Sequence, residues 1–198
     1  MRANILKSIP VALTSLRLVL APLILWAGWS DQGVITFSVI LAVALFSDIF
    51  DGVIARRLNI ATAKIRAFDS AADSVFWFAA IWAICLRRPL AFHEHLTGIF
   101  VVIAIKLIKR IVDYWKFHRS TAYHMWSAKA CGLILTGAAI LIWADSSSDA
   151  AFDVAITAVM LAYIESLIAS FLLPRWIHDV PTVAHAWRLR KSLLAEKP

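Results

Sequence analysis

Six long apolar segments restrict this chain to one kind of fold. Each is about 20 residues long, the length that an α-helix needs to cross a hydrocarbon core about 30 Å thick. Apolar residues make up 61% of the sequence and the mean hydropathy is +0.76, whereas about half of a soluble domain is apolar. The sequence therefore predicts an all-α, polytopic membrane protein with six transmembrane helices. The predicted helices span residues 9–29, 34–57, 66–86, 95–115, 127–143 and 154–173.

These helices leave few residues for anything else, so we expect residues 1–198 to form a single membrane domain. Arg2 and Lys7 precede the first apolar run, as in a signal peptide, but that run contains Arg17 and has no small-residue cleavage site. We therefore interpret it as a retained first helix. Cys85 and Cys131 both lie inside apolar segments, so no disulfide is expected.

The distribution of basic residues predicts the orientation in the membrane. Of the 20 Lys and Arg, all but Arg17, Arg87 and Arg88 lie at the N-terminus, around the connections after helices 2 and 4, or in the tail. By the positive-inside rule, both termini are expected in the cytoplasm, with the chain in the cytoplasmic (inner) membrane. The net charge of +7 would attract anionic membrane lipids. No feature indicates nucleic-acid binding. The tail, residues 174–198, mixes Trp, Val and Leu with Arg and Lys, which is typical of an amphipathic helix lying at the membrane interface.

Four of the thirteen acidic residues lie in one stretch, residues 47–77, whose other residues are typical of membrane helices: Asp48, Asp51, Asp69 and Asp73. At 100° per residue, the first two share a face of helix 2, and the last two lie one turn apart on helix 3. Fewer than ten residues join these helices, so we expect them to be antiparallel neighbours whose acids face each other. Asp48 would lie about 13 Å from the cytoplasmic end of its helix, at about 1.5 Å per residue.

Unpaired acids at this depth need compensation. Each costs about 3 kcal/mol near a helix centre, so four would cost on the order of 10 kcal/mol. Carboxylate ligands suit Mg²⁺, Mn²⁺ or Ca²⁺, and the lack of a nearby Cys or His cluster disfavours zinc. Two divalent ions would neutralise four carboxylates. The pattern therefore predicts a two-metal site of the kind that acts on a pyrophosphate.

Small residues lie on the same face of helix 2 as the acids. Gly52 and Ala55 leave room for a ligand between helices, and Arg56 completes the face. Small residues also allow helices to pack closely, and for Ala55 both interpretations remain open.

The pattern Asp-x-x-Asp-Gly-x-x-Ala-Arg followed by Asp-x-x-x-Asp resembles the signature of the CDP-alcohol phosphotransferase (phosphatidyltransferase) family, integral membrane enzymes of phospholipid biosynthesis. Pro10, Leu13, Thr14 and Arg17 in helix 1 resemble the family's opening pattern. With the six-helix plan, the resemblance covers most of the chain.

The resemblance implies a role for each matching residue. Asp48, Asp51 and Asp69 would bind two divalent cations, Mg²⁺ or Mn²⁺. Asp73 would complete the metal site and act as the general base on the acceptor hydroxyl.

The CDP moiety would contact Gly52, Ala55 and Arg56. The implied reaction transfers a phosphatidyl group from a CDP-linked lipid, such as CDP-diacylglycerol, to a small alcohol, for example glycerol 3-phosphate, and releases CMP. The site would face the cytosol, and a homodimer is implied.

Two residues depart from the family pattern. Ile65 stands where the family has a second glycine, and Val11 stands where it commonly has asparagine. Ile65 shares a helix face with Asp69 and Asp73, so its side chain is expected to compete for nucleotide space and either alter donor preference or weaken activity.

Other charges in or near the membrane are candidates for further roles. A phosphorylated acceptor needs cations beside the metals, and Lys109, Arg110 and Lys129 are the candidates. Long basic side chains also extend to the membrane surface without binding a substrate. Arg17 and Glu165 are expected to face the bundle interior. Arg17 or Glu165 would pair with an acid, bind substrate or join a structural hydrogen-bond network.

Three other functions remain open. An intramembrane prenyltransferase also uses acids and Mg²⁺, but such enzymes carry Asp-rich motifs in two separate helical repeats. A cation carrier would use the acids as ion ligands, although the Gly-x-x-Ala-Arg segment is not expected in one. A non-catalytic homologue would keep the fold without the activity.

Overall fold

The chain is described from a computed structural model. The description covers residues 2–58, 63–119, 121, 123, 125–145, 148–177 and 180–195; the side chains of residues 2–8, 55, 56, 63, 64, 66 and 67 lie outside it. The described part contains eight α-helices and is otherwise turns and irregular segments. They are α1 (Arg2–Trp29), α2 (Val34–Arg57), α3 (Ala63–Arg87), α4 (Pro89–Glu94), α5 (Leu96–Phe117), α6 (Trp126–Ala144), α7 (Ser148–Leu172) and α8 (Val183–Ala195).

The all-α membrane fold predicted from the sequence is confirmed. A helix satisfies all its backbone groups internally, which hydrocarbon requires. Five described helices are long and apolar enough to cross a membrane: α1, α2, α3, α6 and α7. The 22-residue α5 is also long enough, at about 33 Å. However, it carries five charged residues, so the sixth span remains a prediction: Lys106, Lys109, Arg110, Asp113 and Lys116.

Helix boundaries differ from the predicted ones at three places. The apolar run predicted a start at residue 9, whereas α1 begins at Arg2. The short α4 occupies the turn predicted at Arg88-Pro89. The start of α7 at Ser148 is six residues before the predicted one, with Asp149 in its first turn, where an acid interacts favourably with the helix dipole.

The chain divides into two compact units. The first comprises Met1–Phe92 with Ala139–Ser148, and the second comprises His93–Ala138 with Asp149–Pro198. Each is described separately below.

In the first unit, α1 packs against both α2 and α3. Gly28 of α1 lies so close to α3 that a Cβ atom placed on it would be 2.8 Å from the Ala83 Cα. Small residues therefore set the distance between these helices.

A stack of side chains joins three segments of the first unit around Trp143, which is fully buried. Its ring lies 3.8 Å from that of Phe37, nearly parallel, and the Arg87 guanidinium lies 4.8 Å from its centroid. The Trp143 Nε1 donates to the Gln32 carbonyl at 3.1 Å, and Arg87 donates to the same carbonyl and pairs with Asp31. The α1–α2 turn, the end of α3 and the end of α6 are thereby held together.

The second unit is organised around the buried carboxylate of Asp113. It accepts hydrogen bonds from Lys109 Nζ, Thr121 Oγ1 and Ser170 Oγ, each at 2.6 Å. Lys109 also donates to the Thr121 carbonyl at 2.8 Å. The hydroxyl groups of Ser170 and Tyr123 lie 3.0 Å apart, and burial raises the pKa of Tyr123. These bonds connect α5, the chain that follows it and α7.

The tail packs onto the C-terminal end of α7. Lys116 donates to the carbonyls of Ser170 and Phe171 at 2.9 and 2.8 Å, and Arg190 of α8 donates to that of Leu172 at 3.2 Å. Cationic side chains at the C-terminal end of a helix donate hydrogen bonds to its free carbonyls and interact favourably with the helix dipole. The core beside this contact consists of six buried residues: Tyr123, Met125, Ala169, Leu173, Val180 and Ala186.

We expect Asp113→Ala to lower the free energy of unfolding by about 3–5 kcal/mol, because Lys109 would remain buried without its counter-ion. Thermal unfolding of the purified protein in detergent measures this change. The double replacement Lys109→Met with Asp113→Leu removes both charges and is expected to restore most of the loss. An unchanged unfolding temperature for Asp113→Ala would contradict the structural role of this pair.

Gly28→Leu is expected to destabilise the first unit by about 1–3 kcal/mol, because its side chain would overlap the Ala83 backbone. The same unfolding measurement applies. Gly137→Leu serves as the control, since a Cβ atom there meets nothing within 4 Å. If the two substitutions lowered stability equally, the close contact between α1 and α3 would not explain the effect of Gly28→Leu.

Candidate active site

Four acidic side chains converge in the first unit. Asp48 and Asp51 come from α2, and Asp69 and Asp73 from α3. One carboxylate oxygen from each of Asp48, Asp51 and Asp69 lies within 4.8 Å of the other two. Three of the four acids thus lie close together across α2 and α3, as predicted.

Arg17 of α1 contacts all four carboxylates. Its Nη1 donates to Asp48 Oδ1 at 2.8 Å and to Asp73 Oδ1 at 3.1 Å. Its Nη2 donates to Asp51 Oδ2 at 2.5 Å and also to Asp69 Oδ1. Of the interpretations open for Arg17, pairing with acids is the one that the structure shows. These ion pairs link α1, α2 and α3.

Thr14, one turn before Arg17 on α1, adds a second contact to Asp51. Its hydroxyl donates to Asp51 Oδ2 at 3.1 Å. The resemblance of helix 1 to the family pattern singled out Thr14, but no sequence pattern indicated Asp51 as its partner.

The four acids differ in exposure. The Asp51 side chain is 5% exposed, whereas those of Asp48, Asp69 and Asp73 are 45%, 34% and 43% exposed. The cluster is therefore buried at Asp51 and partly exposed at the other three acids. Three of the four carboxylates lie partly at the surface of the unit.

The donor set fits hard divalent cations. Among the described side chains one guanidinium faces four carboxylates, and oxygen-only ligands are the preferred partners of Mg²⁺ and Mn²⁺. The Arg17 Nε is also buried and has no hydrogen-bond partner among the described residues. Among the described residues, Arg17 therefore does not use all its hydrogen-bond donors in the cluster.

The predicted CDP-binding residues are described only in part. Gly52 in α2 and Ile65 in α3 are both half-buried, while the side chains of Ala55 and Arg56 lie outside the described part of the chain. Their roles in binding the nucleotide remain predictions.

The three predicted acceptor-binding cations lie in the second unit. Lys109 is buried and bonded to Asp113 and Thr121, while Arg110 is exposed on α5. Lys129 is exposed and lies 4.5 Å from the Trp126 ring centroid. Acceptor binding by these residues remains a prediction.

The sequence did not single out the Asp113 cluster, although the spacing of Lys109 and Asp113 is that of an i, i+4 ion pair. Thr121 and Ser170 gave no signal, because Ser170 is 57 residues from the carboxylate that it contacts. Glu165, predicted to face the interior, is half-buried and accepts a hydrogen bond from the Val183 amide at 3.4 Å.

Comparison with known proteins agrees with this geometry. The sequence model of the CDP-alcohol phosphatidyltransferase family matches residues 7–168, which include Arg17 and all four acids. No curated protein and no solved structure gives a significant match. Because the match extends over most of the sequence and includes every member of the charged cluster, the chain belongs to the CDP-alcohol phosphatidyltransferase family.

Proposed function

We propose that this protein is a membrane enzyme that transfers a phosphatidyl group from CDP-diacylglycerol to the hydroxyl group of a small alcohol and releases CMP. The observation that carries the proposal is the convergence of four carboxylates from α2 and α3, in the order and spacing of the family signature. A prenyltransferase or a cation carrier would not be expected to match the family along most of the chain.

Divalent cations, Mg²⁺ or Mn²⁺, are the proposed cofactors. Asp48, Asp51 and Asp69 would hold two ions, and Asp73 would complete the site. When bound, such ions neutralise the charge of a pyrophosphate and of the departing CMP. The exposure of Asp48 and Asp69 lets an ion enter, whereas the burial of Asp51 and its bond from Thr14 fix the base of the cluster.

Asp73 is the proposed general base. Its carboxylate is oriented by Arg17 Nη1 at 3.1 Å, and with 43% of the side chain exposed an alcohol can reach it. The carboxylate would accept the proton of the acceptor hydroxyl as the oxygen attacks the phosphorus atom of the lipid-linked phosphate. No covalent intermediate with a protein side chain is required.

Substrate contacts are assigned by the family signature. Gly52, Ala55 and Arg56 follow Asp51 on α2 and would contact the CDP moiety, with Arg56 near a phosphate. Ile65 adds bulk on α3 where the family has glycine, which supports an altered donor preference.

Glycerol 3-phosphate is the proposed acceptor. Its phosphate would need cations, and Arg110 and Lys129 are exposed, whereas Lys109 already has a carboxylate and a carbonyl as partners. Arg110 and Lys129 are therefore the better supported of the three candidates.

The proposed setting is the cytoplasmic (inner) membrane, with α5 as the sixth span, both termini in the cytoplasm and the acids reached from the cytosol. The concentration of Lys and Arg at one set of connections supports this orientation. The tail, with exposed Trp187 and Leu194 on α8, would lie at the interface beside anionic lipids. A homodimer is proposed from the family alone.

The purified protein is expected to release CMP from CDP-diacylglycerol when Mg²⁺ or Mn²⁺ and glycerol 3-phosphate are present. CMP release is measured across a panel of alcohols, with an acceptor-free reaction as the control. EDTA should abolish release and added Mn²⁺ should restore it. Folded protein that releases no CMP with any acceptor would be a non-catalytic homologue, and incorporation of a labelled prenyl diphosphate would establish the prenyltransferase instead.

Asp73→Asn is expected to lower kcat by about 10²–10⁴-fold, because the amide cannot accept the proton that the carboxylate takes. Asp149→Asn, an exposed acid in the first turn of α7, is the matched control and should keep full activity. If Asp73→Asn retained more than about a third of kcat, another group would have to be the base.

A further inference from the structure

Arg17 occupies the position in the cluster where a cation is most needed. Its two terminal nitrogens serve two carboxylates each, one from α2 and one from α3 in both cases. It is 1% exposed, so the guanidinium has left water entirely for these contacts. A single side chain therefore does in this structure what bound ions do in a metal site, since it bridges carboxylates from different helices.

The same carboxylates cannot serve Arg17 and divalent ions independently. Arg17 bonds one oxygen atom of each of Asp48, Asp51 and Asp69, so an ion held by the same carboxylates would lie close to the guanidinium. Like charges this close repel strongly where water is excluded. The Asp51 Oδ2 atom already accepts from both Arg17 and Thr14. Ion binding is therefore coupled to the position of Arg17.

One hydrogen-bond donor of Arg17 is also unsatisfied among the described residues. Its Nε is buried and has no hydrogen-bond partner in the part of the chain that the structure describes. A buried donor without a partner carries a desolvation cost. This cost makes the guanidinium easier to displace than one with all five donors satisfied.

We infer that Arg17 is an internal counter-ion that holds the four acids together before divalent cations bind, and that these cations displace its guanidinium from part of the cluster. Arg17 thereby keeps α1, α2 and α3 assembled when no ion is bound, and it weakens ion binding by competition. This inference rests on the proposed metal site. It makes Arg17 a positioning residue for the reaction, acting through the metal ligands.

If Arg17 stayed in the cluster when ions bind, its removal would change the ion affinity in the opposite direction. If Arg17 only oriented the carboxylates as metal ligands, its removal would disorder them and weaken ion binding. The sign of the change in ion affinity therefore distinguishes competition from orientation.

The test uses Arg17→Gln in the full-length protein, purified in detergent. Binding of Mn²⁺ is measured by the electron paramagnetic resonance signal of the free ion, and thermal unfolding is followed in EDTA and in Mn²⁺. We expect Arg17→Gln to bind Mn²⁺ about tenfold or more tightly than the original protein, since one repelling charge is removed. It should unfold at a lower temperature in EDTA and gain more stability from Mn²⁺.

Two further variants complete the experiment. Arg17→Lys keeps the charge but offers a compact ammonium that cannot span four carboxylates, so its stability in EDTA should fall between those of the other two proteins. Arg87→Gln removes another arginine ion pair of the first unit. It should lower stability equally in EDTA and Mn²⁺ and leave Mn²⁺ affinity unchanged.

Equal or weaker Mn²⁺ binding by Arg17→Gln would overturn the inference, while metal-dependent CMP release by the original protein would leave the proposed function standing. If neither the original protein nor any variant bound Mn²⁺, both the proposed metal site and the inference would be wrong.

If Arg17→Gln folded only in Mn²⁺, that result would support the inference. If it folded in neither condition, the comparison of Arg17→Lys with the original protein would decide: tighter Mn²⁺ binding supports competition and weaker binding overturns it.

Discussion

The attraction between one buried guanidinium and four carboxylates is the interaction on which the first unit depends. Charges are costly within a membrane, and their mutual attraction is strong where the dielectric constant is low. Because Arg17 comes from α1 and the acids from α2 and α3, none of the three helices can slide or rotate without separating opposite charges. Gly28, about three turns further along α1, allows the close approach to α3 that these contacts require.

The second unit handles buried charge differently. Lys109 and Asp113 balance each other, and hydroxyl and carbonyl groups around them accept or donate the remaining hydrogen bonds. In the acidic cluster of the first unit, the described side chains set one guanidinium against four carboxylates, of which three are partly exposed. An enclosed ion pair suits a structural role, whereas a partly exposed cluster rich in carboxylates is suited to binding cations. This contrast is why we place the chemistry in the first unit.

Much of this arrangement could be predicted from the sequence. The helical period placed Asp48 with Asp51 and Asp69 with Asp73, and the short connection between α2 and α3 predicted that the pairs would meet. For the lone arginine within an apolar run, an acidic partner was one of three interpretations. These predictions succeed because they depend on local geometry and on the cost of charge in hydrocarbon.

Other features depend on contacts that local patterns do not encode. Ser170 meets Asp113 across 57 residues, and nothing near either residue predicts the other. The start of α7 lies in polar residues that an apolar window excludes, although Asp149 suits a first helical turn. Composition alone does not show whether α5 crosses the membrane, because a lysine in a buried ion pair and a lysine that extends to the membrane surface have the same sequence pattern.

The capping of α7 by Arg190 makes the tail part of the fold. Val180 and Ala186 complete a core with Tyr123 and Leu173, while Arg190 covers the Leu172 carbonyl. A protease that cut between α7 and α8 would remove both the apolar cover and the cap, and the exposed end of α7 would then have to find water or another chain. Loss of the tail would therefore resemble damage to a transmembrane helix more than the trimming of a flexible end.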